Sequence, residues 1–194
     1  MRVHYIYCHP LTESYHHVML QAALTTLRGA GHEVDLLDLY AEKFDPVLSA
    51  DGRRNYHDTN LNQAGLETYV ARLRAAEALV VQFPTWCFGF PAMLKGYFDR
   101  LYVPGVAFDI SDPANVRPML TSVRRIVGIT TYGRPWWTAR CVGDPPRKMV
   151  TRYLPRLTGG QTKVSFHALY HMNVASEVKR RAFIDHVKEH LGRI

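Results

Sequence analysis

The sequence predicts an α/β fold, a doubly wound five-stranded parallel sheet with helices on both faces. Strand-like and helix-like segments alternate along the 194 residues, which is typical of parallel strands joined by helical crossovers. A hydrophobic content of 47% favours a single domain over residues 1–194 with a sizeable core.

Five runs rich in β-branched, aromatic and other apolar residues are the predicted strands. They cover residues 2–8, 33–37, 78–83, 125–131 and 163–168. The third run is almost entirely apolar, as expected of a strand that helices cover on both faces. Pro84 ends it, because proline cannot donate a hydrogen bond to a neighbouring strand.

Apolar residues at helical spacing predict five helices. These cover approximately residues 14–30, 62–76, 91–101, 146–157 and 175–191. Gly31 is the expected stop of the first helix. Ile184, Val187 and Leu191 form the expected core face of the last helix.

Three stretches between these elements are predicted to be loops. They are residues 41–60, 102–122 and 132–146, which are polar or rich in Gly and Pro. Within the first of them, Asp51-Gly52 predicts a turn.

Composition excludes several classes of function. The net charge of +7 is scattered and no nucleic-acid-binding motif accompanies it, so we expect attraction of a phosphorylated small molecule rather than nucleic acid. No apolar run is long enough for a membrane span and no secretory signal is visible, so we expect no membrane insertion. Three widely spaced cysteines and no metal-ligand spacing predict a cytoplasmic chain without disulfides or a metal site.

Ligands of doubly wound sheets bind outside the carboxyl ends of the strands, which singles out three loops. In the first, residues 9–16, Thr12 or Ser14 can cap the following helix, whose free N–H groups form an anion site. His9 and His16 can add hydrogen bonds or charge to a phosphate, although an ordinary helix cap explains the loop equally well. No GxGxxG or P-loop pattern is present, which disfavours a nicotinamide coenzyme bound in Rossmann fashion.

The second loop, residues 84–91, is rich in aromatic residues that can wall a flat ring system. Gly89 would allow close approach or an unusual backbone dihedral. The alternative is that Trp86 and Phe88 belong to the core or to an interface. Cys87, like Cys8, is expected to be a small buried hydrophobe rather than a nucleophile.

The third loop begins with Thr130, Thr131, Tyr132 and Gly133. Hydroxyl and amide groups here can bind a carbonyl that gains negative charge on reduction. The adjacent Trp136-Trp137 pair is expected to cover a ring or to lie against a partner subunit, because exposed tryptophans without a partner are costly.

The segment QFPTWCFGFPAMLKGYFDR, residues 82–100, resembles the signature of the flavodoxin-like NAD(P)H:quinone oxidoreductases. These belong to the second flavodoxin family, with modulators of drug activity and potassium-efflux ancillary flavoproteins. The resemblance extends to residues 9–16, to 38–46 and to 130–133, and spans nearly the whole chain.

This resemblance implies a flavodoxin-like sheet with strand order 2-1-3-4-5, a homodimer and bound FAD or FMN, with FAD favoured. It also implies two-electron, ping-pong hydride transfer from NADPH or NADH through the flavin to a quinone or similar acceptor. On matching positions, the flavin's phosphate part would be held by His9, Ser14, Tyr15 and His16. The isoalloxazine would be lined by Pro84, Thr85, Trp86, Cys87 and Phe88, and its pyrimidine edge by Thr130, Thr131, Tyr132 and Gly133.

The chain also departs from the family. Tyr132 replaces a glycine, and the family's Tyr and His proton relay has no counterpart, so Tyr132 is the only candidate catalytic side chain. Phe108 and Ile110 stand where the family has two tyrosines. With Trp136 and Trp137 they would form a less polar acceptor slot.

Two functions therefore remain open. The first is a flavin-dependent NAD(P)H oxidoreductase, and the alternative is a regulatory flavoprotein subunit that binds a channel or transporter. An electron carrier of the flavodoxin type is disfavoured by the positive charge. The sequence leaves FAD against FMN and NADH against NADPH undecided, although Arg134 and Arg140 could meet a 2′-phosphate.

Overall fold

A central five-stranded parallel sheet forms the core of the structure, a computed structural model that describes residues 1–194. The strands of the chain are β1 (Arg2–Tyr7), β2 (Glu33–Asp38), β3 (Ala78–Pro84), β4 (Phe108–Asp109), β5 (Arg117–Pro118), β6 (Arg125–Thr131) and β7 (Lys163–Leu169). The sheet order β2-β1-β3-β6-β7 confirms the predicted order 2-1-3-4-5 of the five main strands. β4 and β5 form a separate antiparallel pair.

Helices cover both faces of this sheet, as predicted. They are α1 (Tyr15–Gly29), α2 (Ala50–Arg54), α3 (Glu67–Arg74), α4 (Ala92–Leu101), α5 (Trp136–Cys141), α6 (Pro145–Lys148) and α7 (Glu177–Leu191). One buried cluster joins the sheet to α1 and α7, and a second joins it to α3, α4 and the segment 150–157. Because helices cover both faces of the sheet, every residue of β3 is buried.

The predicted ends of the first and last helices are confirmed by their caps. The side chain of Ser14, rather than Thr12, accepts a hydrogen bond from the His17 N–H at 3.2 Å. Gly31 has φ +80°, the left-handed conformation of a helix stop. Ser176 caps α7, whose Val187 and Leu191 are buried.

Three predicted loops contain regular structure instead. Asp51-Gly52 is not a turn but lies in α2, because the Ser49 side chain accepts the Gly52 N–H at 3.0 Å and caps a short helix. The stretch 102–122 contains β4 and β5, and 132–146 contains α5. The predicted helix 62–76 is shortened to α3, because Gly65 precedes it at φ +74°.

The predicted helix 146–157 changes type along its length. It begins as α6, widens to a π-helical turn over Met149–Tyr153 and tightens to a 3₁₀ turn over Leu154–Leu157. Pro155 lies in the last part, where its missing N–H prevents the regular α-helical hydrogen bond. None of the helices is both long and apolar enough to cross a membrane.

Candidate functional site

The three loops predicted as ligand-binding from the sequence converge at the carboxyl edge of the sheet, because β1, β3 and β6 are neighbours. His16 connects the first loop to the third, with its Nε2 3.0 Å from Oγ1 of Thr131. The buried Gln82 of β3 donates from Nε2 to the His16 carbonyl oxygen at 2.7 Å. Its Oε1 accepts a hydrogen bond from the buried Tyr5 hydroxyl. These bonds fix the first loop against the centre of the sheet.

The second and third loops are also tied to each other. The hydroxyl oxygens of Thr85 and Thr130 lie 3.0 Å apart, and the Thr85 N–H donates to the Thr131 carbonyl at 2.9 Å. The predicted residues of the three loops therefore share one edge of the sheet.

A fourth loop, between β7 and α7, reaches the same edge and was missed from the sequence. The N–H groups of His171 and Met172 donate to the carbonyls of Arg134 and Tyr132 at 3.1 and 2.9 Å. A Cβ atom at Gly133 would lie 3.0 Å from Nδ2 of Asn173. A side chain at Gly133 would therefore displace the Asn173 side chain of this loop. A single polar residue such as Asn173 gives no pattern by which the sequence could have indicated it.

The first loop presents unpaired backbone donors at the start of α1. The N–H groups of Thr12, Glu13, Tyr15 and His16 make no hydrogen bond within the chain. Unpaired N–H groups and the helix dipole are both favourable to an anion, as the predicted anion site requires. The ring of His9 stacks on that of His16, with the ring centres 5.5 Å apart.

His16 contributes no positive charge to this site. Burial, together with the neighbouring His9, lowers the pKa of His16 to about 3, so its imidazole is neutral near pH 7. In the absence of a ligand, His16 is therefore expected to offer a phosphate hydrogen bonds rather than charge. Its ring joins two loops, whereas His9 is only partly buried and remains available to a ligand.

The second loop contains a strained turn. The Gly89 N–H donates to the Trp86 carbonyl at 2.8 Å, and the two residues between them, Cys87 and Phe88, have φ values of +49° and +55°. Positive φ at both central positions is the pattern of a type I′ turn, which normally selects Asn and Gly. The expected unusual dihedral thus falls on Cys87 and Phe88 rather than on Gly89, and Cys87 is exposed, not buried.

The turn leaves two successive backbone donors unpaired. Trp86 pairs with Gly89 across the turn, whereas the N–H groups of Cys87 and Phe88 make no hydrogen bond within the chain, and the same holds for those of Gly133 and Arg134 in the third loop. Each of the two loops therefore presents a short row of donors without protein acceptors.

Comparison with known proteins supports the fold and the family. Residues 1–191 match the model of the second flavodoxin family, which is described by its flavodoxin-like fold. The chain belongs to this family. A solved structure of Smu.1420 from Streptococcus mutans UA159 is 27% identical, has a TM-score of 0.87 and covers 100% of both chains. An NAD(P)H:quinone oxidoreductase from Methanothermobacter marburgensis, 24% identical with a TM-score of 0.82, covers 100% of this chain and 98% of its own and supports the fold alone.

Curated relatives in the family match a part of the chain. NAD(P)H dehydrogenase [quinone] 1 of Cavia porcellus is 30% identical over 145 residues, which are 66% of this chain and 52% of that protein. The uncharacterized NAD(P)H oxidoreductase YcaK of Escherichia coli K12 is 30% identical over 108 residues, 55% of each chain. The chain thus spans about half the length of the curated relatives it matches.

The donors of the second and third loops fit the flavin that the family resemblance implies. An isoalloxazine ring has a flat apolar body and one edge of carbonyl and ring-nitrogen acceptors. The indole of Trp86 is 42% exposed beside the unpaired N–H groups and offers a flat wall. The free N–H groups at the start of α1 fit the phosphate. Both ends of a flavin nucleotide therefore have partners here.

Tyr132, the candidate catalytic side chain, does not face this site. It is 1% exposed, its ring stacks on Tyr170 with centres 4.7 Å apart, and its hydroxyl donates to Oδ1 of the buried Asp144. Burial and the adjacent Asp144 raise the pKa of Tyr132 far above its ordinary value. Its hydroxyl anchors the segment before α6, and Asp144 is a further residue that the sequence did not indicate.

Tyr15 also points away from the predicted ligand. Its hydroxyl donates to the Arg180 carbonyl oxygen in α7 at 2.7 Å, and burial raises its pKa to about 12. Only its backbone N–H remains available to a phosphate.

The four residues of the predicted acceptor slot are not brought together within one chain. Trp136 and Trp137 begin α5 at the carboxyl edge and are 60% and 54% exposed. Phe108 and Ile110 follow α4, whose ten residues lead about 15 Å away from that edge. The segment that holds them is fixed at the opposite edge, where the Arg74 guanidinium donates to the Gly105 carbonyl at 2.7 Å.

Proposed function

We propose that the chain is a flavin-dependent NAD(P)H oxidoreductase that reduces a quinone or a similar small acceptor. The observation that carries the proposal is the pair of unpaired N–H rows beside the exposed Trp86. The relatives named NAD(P)H dehydrogenase [quinone] 1 and NAD(P)H oxidoreductase support this assignment.

The residues at the edge have distinct roles in this proposal. The start of α1 and His9 would hold the phosphate, and Trp86 would cover one side of the ring. The N–H groups of residues 87–88 and 133–134 would bind the polar edge of the ring and stabilise negative charge there on reduction. A bound flavin would supply the redox chemistry, accepting hydride from the reduced nicotinamide and passing two electrons to the acceptor. We assign proton exchange to solvent.

We also propose that the active form is a homodimer. Because one chain places Phe108 and Ile110 at the edge opposite Trp136 and Trp137, a slot that uses all four residues needs two chains. Light scattering of the purified protein checks this, and a monomer would leave the slot with the two tryptophans alone.

The test is reconstitution with FAD and FMN separately, followed by reduction with NADPH or NADH and reoxidation with a quinone. We expect bound flavin absorbance that bleaches with reductant and returns with quinone, and a dissociation constant that separates FAD from FMN. Trp86→Ala is expected to weaken flavin binding by about tenfold, whereas the matched Trp86→Phe keeps a flat ring and most of the affinity.

Two results would contradict the proposal. Failure of both flavins to bind would remove the site itself. Tight flavin binding without reduction by either coenzyme would reject the enzyme and favour the regulatory flavoprotein subunit.

A further inference from the structure

A groove rich in positive charge lies directly behind the third loop, around α6 and the π-helical turn. It encloses about 350 Å³, and no apolar side chain lines it. Four cationic side chains line this basic groove: Arg140, Arg147, Lys148 and Arg152.

The four cations have no carboxylate partners. None of the chain's ion pairs includes any of them. Asp144 is the single acid in the lining, and it is 3% exposed and bonded to the Tyr132 hydroxyl. Four cations against one carboxylate leave a net charge of +3 in one groove. Like charges held this close repel, so the groove is suited to an anion.

The groove is held rigidly beside the candidate flavin site. The bond from Tyr132 to Asp144 connects its wall to the third loop. The Arg147 guanidinium carbon lies 5.4 Å from the ring centre of Phe166 in β7, and the Thr151 hydroxyl donates to the Arg147 carbonyl at 2.8 Å. A ligand with an anionic group in this groove could therefore also reach the carboxyl edge.

The chemistry of the lining selects a phosphate monoester. Guanidinium groups bind phosphate oxygens through paired hydrogen bonds, and a phosphate monoester carries close to two negative charges at neutral pH. The absence of apolar lining makes the groove unsuited to an adenine or nicotinamide ring. NADPH differs from NADH only by a 2′-phosphate monoester. We propose that the basic groove binds the 2′-phosphate of NADPH and makes NADPH the preferred reductant.

This inference rests on the proposed function, but binding can be tested without turnover. Calorimetry with the full chain would compare 2′,5′-ADP with 5′-AMP, which differs from it only by lacking the 2′-phosphate. We expect 2′,5′-ADP to bind at least about tenfold more tightly, because hydrogen bonds between charged groups contribute on that scale. Equal affinities would overturn the inference.

Turnover then tests the residues. Arg140→Gln combined with Arg152→Gln removes two exposed cations of the groove. We expect kcat/KM for NADPH to fall about tenfold while that for NADH stays unchanged. The matched control is Arg28→Gln combined with Arg124→Gln, two exposed arginines that also lack ion pairs and flank the opposite edge.

The outcomes separate the two proposals. Preferential binding of 2′,5′-ADP without oxidation of either coenzyme would keep the phosphate site and reject the oxidoreductase. Oxidation of both coenzymes with an NADPH/NADH ratio that the groove variant leaves unchanged would reject the phosphate site and keep the oxidoreductase. An equal fall in kcat/KM for NADPH in the control variant would show that the effect comes from overall charge. That result would overturn the assignment.

Discussion

Gln82 offers the sharpest test of how the candidate site is held together. Its amide accepts from the Tyr5 hydroxyl, and its Nε2 lies within hydrogen-bond distance of both the carbonyl oxygen and Nδ1 of His16. Gln82→Leu keeps a side chain of similar size but leaves the Tyr5 hydroxyl without a hydrogen bond, whereas the His16 carbonyl keeps its bond within α1. An unsatisfied buried group costs about 1–3 kcal/mol, so we expect the free energy of unfolding to fall by about 1–3 kcal/mol.

A double-mutant cycle separates the contribution of Tyr5 from that of Gln82. Tyr5→Phe alone leaves only Oε1 of Gln82 unpaired, at a cost of about 1–3 kcal/mol. Tyr5→Phe combined with Gln82→Leu removes both members of this contact, so neither is left unpaired. The double variant should therefore be more stable than Gln82→Leu alone, by about 1–3 kcal/mol.

The assay is urea unfolding of the four proteins without flavin, with flavin affinity measured in parallel. We expect Gln82→Leu to weaken flavin binding, because the His16 carbonyl fixes the loop that presents the N–H groups of α1. The reasoning is refuted if the double variant is less stable than Gln82→Leu. The costs of the two substitutions would then add, although the double variant no longer contains the unpaired Tyr5 hydroxyl.

Two further predictions concern neighbouring residues. Tyr132→Phe should leave turnover and its pH profile unchanged. It should lower the free energy of unfolding by about 1–3 kcal/mol, because Asp144 loses its hydrogen bond. A loss of turnover in stably folded variant protein would restore Tyr132 as a catalytic residue. The folded-state pKa of His16, lowered to about 3 by burial and His9, lies below the unfolded value of about 6.5. The unfolded chain therefore binds the extra proton, and stability should decline as the pH falls from about 6.5 towards about 3, with a shallower decline in His16→Gln measured by urea unfolding.

The fold was predictable because its signals are local and repeated. The apolar run of β3 and the caps at Ser14 and Gly31 are each sufficient to fix an element, and the structure confirms them. The errors lie where a short contact decides the outcome. A single hydroxyl, that of Ser49, converts the expected Asp51-Gly52 turn into a helix.

The position of the site was predictable, whereas the roles of its side chains were not. Strand order alone brings the three loops to one edge. The sequence cannot show that Tyr132 turns inward to Asp144, twelve residues away, or that Tyr15 turns towards α7. These orientations depend on long-range packing, which leaves no periodic pattern along the chain.

The turn at Trp86–Gly89 connects local sequence preference with the position of the candidate site. A left-handed conformation costs a residue with a side chain about 1–2 kcal/mol, and Cys87 and Phe88 both adopt it where Asn and Gly would be favoured. Such strain persists where the surroundings impose it, and it concentrates at functional sites. Here its structural consequence is visible, because the turn presents two successive unpaired N–H groups beside an exposed indole. The one place where local sequence preference and backbone conformation disagree twice in succession is thus the place where the proposed flavin ring would lie.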